Sequence, residues 1–233
     1  MKKIIKTITA TGLSLLPIIK PAQADTTAYL TTGFQTKSNV SGFTPADNPM
    51  FNYRIGINTG KFSANIFTDY DLKKESSREI DLNFNIPVFT SKHLRGDLYA
   101  GYFNFPNSEL HDMQEIGVTL SSRNLPINAS VYTAKISGKG SGNGFIVKTT
   151  LGKGINFSDK IKAVLEARLT YNDGYFTKTS GFSHAYLKGA TTIKIGQSTE
   201  LDAFITYQLG LDKAFGKAFK THVYGGVSLK RRF

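Results

Sequence analysis

THVYGGVSLKRRF, residues 221–233, decides how the rest of the chain is read. Counted back from the last residue, Phe233, Arg231, Leu229, Val227, Gly225 and Val223 fall on one side. Arg232, Lys230, Ser228, Gly226, Tyr224 and His222 fall on the other. A period of two belongs to an extended strand, whose successive side chains point to opposite faces. One face is mainly apolar and the other polar, and the segment stops on an aromatic residue with no polar tail behind it.

The same design recurs upstream. In REIDLNFNIPV (78–88), Ile80, Leu82, Phe84, Ile86 and Val88 oppose Glu79, Asp81, Asn83 and Asn85. In IKAVLEARLTY (161–171), Ile161, Ala163, Leu165, Ala167, Leu169 and Tyr171 oppose Lys162, Glu166, Arg168 and Thr170. TELDAFITYQLG (199–210) sets Leu201, Ala203, Ile205, Tyr207 and Leu209 against Glu200, Asp202, Thr206 and Gln208. The period predicts about twelve strands, near 27–37, 50–59, 62–72, 78–89, 93–105, 113–122, 127–136, 144–155, 161–172, 183–195, 199–210 and 221–233. No sustained helical period follows residue 24. Pro87 would remove a ladder hydrogen bond, so it is expected at a bulge or strand end. Tight connections at 59–61, 91–92, 123–126, 158–160 and 196–198 alternate with longer ones, notably 38–49, 173–182 and 211–220.

Composition alone does not separate a soluble sandwich or lipocalin-like barrel from a membrane barrel. Of the 233 residues, 40% are hydrophobic, and the mean hydropathy is −0.21. A membrane barrel averages the same way, because only alternate residues face lipid. The absence of cysteine excludes disulfides and thiolate metal sites. The patterning does separate them. The polar face carries charge on most segments, and about twelve strands closed with the apolar face inward would leave more volume than Ala, Ile and Leu can fill.

Met1–Lys6 is a basic segment, Thr7–Ile19 is moderately apolar, and Ala22-Gln23-Ala24 supplies small residues before Asp25. This is the pattern of a secretory signal peptide over 1–24, leaving 25–233 as the mature domain. Removing Lys2, Lys3, Lys6 and Lys20, with no acid among them, takes the net charge from +12 to +8. In an exported chain such a charge does not call for nucleic acid.

The signal segment, the ten-residue alternation and terminal Phe233 together resemble Gram-negative outer-membrane β-barrels of the porin-like class. The resemblance implies a transmembrane antiparallel up-and-down barrel in the outer membrane, reached by export through the periplasm. Short turns would be periplasmic and longer loops extracellular. It also implies contact with outer-membrane lipid and lipopolysaccharide, and recognition of Phe233 by the barrel assembly machinery. Arg231 departs from the pattern, where an aromatic or apolar residue is usual. The resemblance lends no substrate.

With periplasmic termini, the polar-face residues can be placed by height. Asp69, Asp71, Glu79, Asp81 and Glu115 gather on one wall of the outer mouth. Arg54, Lys148, Arg168 and Lys188 come from other strands, with Arg95, Lys162, Lys194, Lys230, Arg232, Asp97, Glu200 and Asp202 lower down. An acidic wall opposite basic groups would set up a transverse field in a pore. The same charges could instead form a salt-bridged plug, and a divalent cation at the acids is a further reading. His184 and His222, with Ser183 nearby, are the candidates for a hydrolase; His93 and His111 fall at a turn and in an outer loop. GKGSGNG (138–144) lacks the Lys-Ser/Thr of a phosphate loop and reads as a hairpin tip. The expected function is a passive channel for small polar solutes, with a charged lumen and no cofactor. A closed structural or surface-interaction barrel and an outer-membrane hydrolase are the alternatives.

Overall fold

The computed structural model of the chain describes residues 26–40, 43–107, 112–136, 143–175, 178–215 and 219–233. The expected signal peptide, His111 and most of GKGSGNG lie outside these residues. Each expected strand is present. The barrel is built from β1 (Thr27–Gln35), β4 (Met50–Asn58), β5 (Ser63–Asp71), β6 (Ser76–Thr90), β7 (Leu94–Asn104) and β8 (Met113–Ser122). It continues with β9 (Ile127–Ile136), β10 (Asn143–Asn156), β11 (Ile161–Asp173), β12 (Ser180–Lys194), β13 (Thr199–Gly210) and β14 (His222–Arg232). Every neighbour is antiparallel, and β1 pairs with both β4 and β14, which closes the sheet. The stretch expected as a plain loop at 38–49 instead carries a two-stranded hairpin, β2 (Ser38–Val40) and β3 (Phe43–Ala46).

The apolar face points outward. Leu82, Phe84, Ile86, Val118, Leu165, Ile205 and Leu229 are all exposed, although a soluble barrel would bury them. Such a surface is stable only in hydrocarbon, where closure also satisfies every strand-edge hydrogen bond. Aromatic residues rim the apolar band. At the long-loop end Phe34 packs on Phe51 at 5.1 Å, and Tyr171 lies 6.0 Å from Phe145 and 5.5 Å from Phe182. At the short-turn end Phe62, Phe89, Phe157 and Phe233 are exposed. The fold is that of an outer-membrane barrel.

Four of the five short turns share one device. The hydroxyl oxygens of Thr59, Ser91, Ser122 and Ser158 accept backbone N–H groups two and three residues ahead. A hydroxyl that bonds its own backbone fixes a tight turn without a further partner.

Three bulges interrupt the alternation. Val88 is the extra residue after Pro87, which answers the missing proline donor. Arg78 is inserted opposite Asp69 and Tyr70, and Ser183 opposite Thr170 and Tyr171. Because of these insertions β6 and β12 begin earlier than the period-two reading places them.

Candidate functional site

The polar face lines the lumen, and a cavity of about 630 Å³ opens within it. Asp69 is contributed by β5, Glu79 and Asp81 by β6, and Glu115 by β8, all buried. Asp69 faces Glu79 across the β5–β6 ladder, and Asp81 faces Phe67. Asp69 accepts two contacts from Gln35 Nε2, at 3.0 and 3.3 Å. Glu79 and Asp81 lie two residues apart on the lumen side of β6. Neutral amides of Asn52, Asn65, Asn83 and Asn85 complete that side of the cavity.

Asp71, expected in the same wall, does other work. Its carboxylate accepts the backbone N–H groups of Lys73 and Lys74, each at 2.9 Å, and Asn48 Nδ2 at 2.9 Å. It therefore caps the turn that joins β5 to β6. Among the described residues, no three of His, Asp and Glu converge as a group able to hold a metal ion. Of the acids named for the further reading of a divalent cation, Asp71 is committed to a turn.

Arg54, Lys148 and Lys188 share the cavity with these acids. Each stands over an aromatic ring: Arg54 over Phe67 at 5.0 Å, Lys148 over Tyr132 at 4.4 Å, and Lys188 over Phe204 at 5.0 Å. Arg168 stands over Tyr186 at 4.8 Å, donates to Thr150 Oγ1 at 2.9 Å and pairs with Glu166 at 3.4 Å. It belongs to a local network on β10–β12 rather than to the cavity wall. The division into walls is only partly transverse, since Arg54 faces Phe67 on the strand that also carries Asp69. Nearer the short turns, Arg95 pairs with Asp97 and Arg232 with Glu200, both at 2.7 Å.

The outer mouth is capped by residues that the alternation could not place. Tyr175, in the loop after β11, is buried and donates its hydroxyl to Glu115 Oε1 at 2.5 Å. It packs in a cluster with Phe103, Phe105, Met113 and Ile146. Burial and the adjacent Glu115 carboxylate hold its hydroxyl well above the ordinary tyrosine range. Gly144 admits this loop, for a Cβ there would lie 2.1 Å from the Gly174 carbonyl carbon. On the far side Phe215 and Phe219 are buried 5.5 Å apart, and Phe219 stacks on His184 at 5.1 Å. A Cβ at Gly210 would meet the Phe219 carbonyl oxygen at 2.2 Å.

His184 and Ser183 both turn inward at the bulge, with Ser183 Oγ 3.0 Å from His184 Nδ1. Both are fully buried, and Ser183 Oγ also lies 3.4 Å from the Thr170 carbonyl. His222 lies near Tyr224, and its Nδ1 is 2.9 Å from the Lys220 carbonyl. His93 is at a short turn beside Asn124. Phe233 closes the seam: its N–H donates to Ala28 O at 2.9 Å. Arg231, unusual in sequence, lies over the Phe233 ring at 5.3 Å.

Solved structures share this architecture. The NanC porin superposes with a TM-score of 0.56 at 6% identity, covering 88% of this chain and 98% of the porin. The KdgM porin in complex with oligogalacturonate gives 0.55 at 7% identity, covering 89% and 99%. An outer-membrane channel from Pseudomonas putida F1 gives 0.53 at 8% identity, covering 92% and 100%. The chain has the fold of outer-membrane porins. No protein-family model matches it, and no curated protein matches it in sequence.

Proposed function

We propose that the chain is a porin-like channel of the outer membrane that passes small polar solutes by diffusion, sorted by lumen width and lumen charge. One observation carries this reading: a lipid-facing barrel encloses a cavity of about 630 Å³ whose walls bear both acidic and basic side chains. Charges kept in a partly water-filled lumen act on passing solutes more strongly than they would in bulk water. The KdgM porin, solved with oligogalacturonate, shares this barrel, which supports a polar solute without naming one. Residues 1–24 act as the signal peptide in this reading. The exterior meets lipid and lipopolysaccharide, and Phe233 is the assembly signal.

The cap at the outer mouth favours a second reading, a closed barrel with a structural or surface role. Hydrolysis has less support. Ser183 and His184 form a pair, but both are buried, and Phe219 stacks on the His184 ring.

Purified, refolded mature chain in a planar bilayer tests the channel directly. Discrete conductance steps are expected. A barrel that shows the heat-dependent gel shift of a folded porin yet conducts nothing would leave the closed reading in possession.

A further inference from the structure

Several charged groups of the cavity stand outside the ion pairs of the barrel. Among the described residues the ion pairs are Lys37–Asp47, Arg95–Asp97, Arg168–Glu166, Lys220–Asp47 and Arg232–Glu200, and none includes Glu79, Asp81, Glu115, Arg54 or Lys188. Arg54 and Lys188 instead stand over Phe67 and Phe204, each at 5.0 Å, so apolar rings hold the cations in the cavity wall without neutralising them. Glu79 and Asp81 lie two residues apart on the lumen side of β6, with Asp69 opposite Glu79, an arrangement that gains most from a positive group beside them. Asp81 is only 6% exposed and lines the cavity, and its Oδ1 is buried without a hydrogen-bond partner. A buried carboxylate oxygen left in this state is costly.

We propose that this cavity is a binding site for a zwitterionic solute of amino-acid or short-peptide type. The ammonium lies along Glu79, Asp81 and Glu115, and the carboxylate lies at Arg54 and Lys188. The inference rests on reading the lumen as a solute path and names the class that path retains. A purely anionic solute meets repulsion at the acids, and a purely cationic one meets it at the cations. A solute carrying both charges is favoured at both. The amides of Asn52, Asn65 and Asn83 also line the cavity and suit peptide groups. A volume of about 630 Å³ falls in the usual range for small-molecule sites.

Triglycine and its blocked forms make a matched set: the zwitterion, the N-acetyl acid, the amide cation and the doubly blocked neutral. Calorimetric titration of the refolded mature chain should give triglycine the tightest binding, by about tenfold or more over either singly charged form, as expected for charge pairs across a partly desolvated site. Glu79→Gln with Asp81→Asn should weaken triglycine and the amide and spare the N-acetyl acid. Arg54→Gln with Lys188→Gln should do the reverse. Triglycine binding no tighter than the better singly charged form, or no saturable binding of any form, overturns the proposal; the series on the unaltered chain decides this even where a variant fails to fold. Conductance of the same preparation separates the two ideas. Conduction without zwitterion preference overturns the site alone, and absence of conduction overturns the channel reading.

Discussion

Tyr175 reaches from the loop after β11 to Glu115 on β8, past the two strands between them, and donates its hydroxyl at 2.5 Å. One contact thereby joins the apolar cap of the mouth to the acidic wall of the cavity beneath it. The hydroxyl stays protonated well past neutral pH, because burial and Glu115 both oppose its ionisation. The link is therefore a standing part of the mouth at ordinary pH.

Tyr175→Phe should loosen that cap. The ring keeps its packing against Phe103, Phe105, Met113 and Ile146, while Glu115 loses a buried donor. Removing one partner of a buried hydrogen bond typically costs about 1–3 kcal/mol. The expected result is a larger or more frequently open conductance in planar bilayers, at modestly lower thermal stability. Conductance identical to that of the unaltered chain would mean that the solute path does not run past Tyr175.

Substitution of the acids tests the filter. Asp69→Asn, Glu79→Gln and Asp81→Asn remove negative charge from a lumen that retains Arg54, Lys148 and Lys188. Reversal potentials should shift toward anions, and the shift should shrink at high salt, where screening shortens to about 3 Å at 1 M. Asp71→Asn should instead lower stability with little effect on selectivity, since its carboxylate caps the turn at Lys73 and Lys74. A selectivity change at Asp71 as large as at Asp81 would contradict this division of roles.

The barrel was legible because its signal is periodic. Alternation along Ile80–Val88 or Leu201–Leu209 states directly which residues face lipid, and the tight turns are local. The limits came where a bulge breaks the period. The extra residues Arg78 and Ser183 shifted the apparent starts of β6 and β12, and Ser183 and His184 share a face that alternation assigns to only one of them. The acids of the wall could be assigned to the lumen by parity, but parity says nothing about side-chain partners. It could not separate Asp71, committed to a turn, from Asp69, in the cavity. Tyr175, Phe215 and Phe219 were out of reach altogether. Tyr175 and Phe219 lie in loops and Phe215 ends a single 3-10 turn, where no strand periodicity exists, and the sequence hint that remains is glycine at 144 and 210, where a Cβ would collide with Gly174 and Phe219.

Asp47 gives the mouth a pH dependence with a definite sign. It accepts a hydrogen bond from Lys37 at 3.2 Å and pairs with Lys220 at 3.6 Å, tying the stretch after β1 to the loop before β14. The Lys37 hydrogen bond holds the carboxylate below its ordinary value of 3.8, with burial opposing it. A depressed folded value means that the tie contributes above the unfolded value and is lost as pH falls through the folded one. Amide exchange near 219–221, corrected for intrinsic rate, should stay flat from neutral pH down to about 4 and rise only below it. Asp47→Asn should raise it throughout that range. A rise already complete at pH 5 would assign the behaviour to some other group.

The last test concerns how the barrel is made. Phe233 N–H donates to Ala28 O, so the final residue belongs to the β1–β14 seam, and its exposed ring lies under the Arg231 guanidinium. If the ring at the end of the last strand is what the assembly machinery reads, deleting Phe233 should lower the amount of protein in the outer membrane. Synthesis and export should continue, and unassembled chain should collect in the periplasm. Phe233→Tyr keeps a ring at the terminus and should restore insertion, whereas Phe233→Ala keeps the backbone seam bond and should not. Arg231→Leu should insert at least as well as the unaltered chain, because an apolar residue is usual there in barrels of this class. Quantifying the heat-shifted band in outer-membrane fractions separates these outcomes. Full insertion of the deletion variant would assign recognition to another part of the strand and reduce Phe233 to its place in the seam.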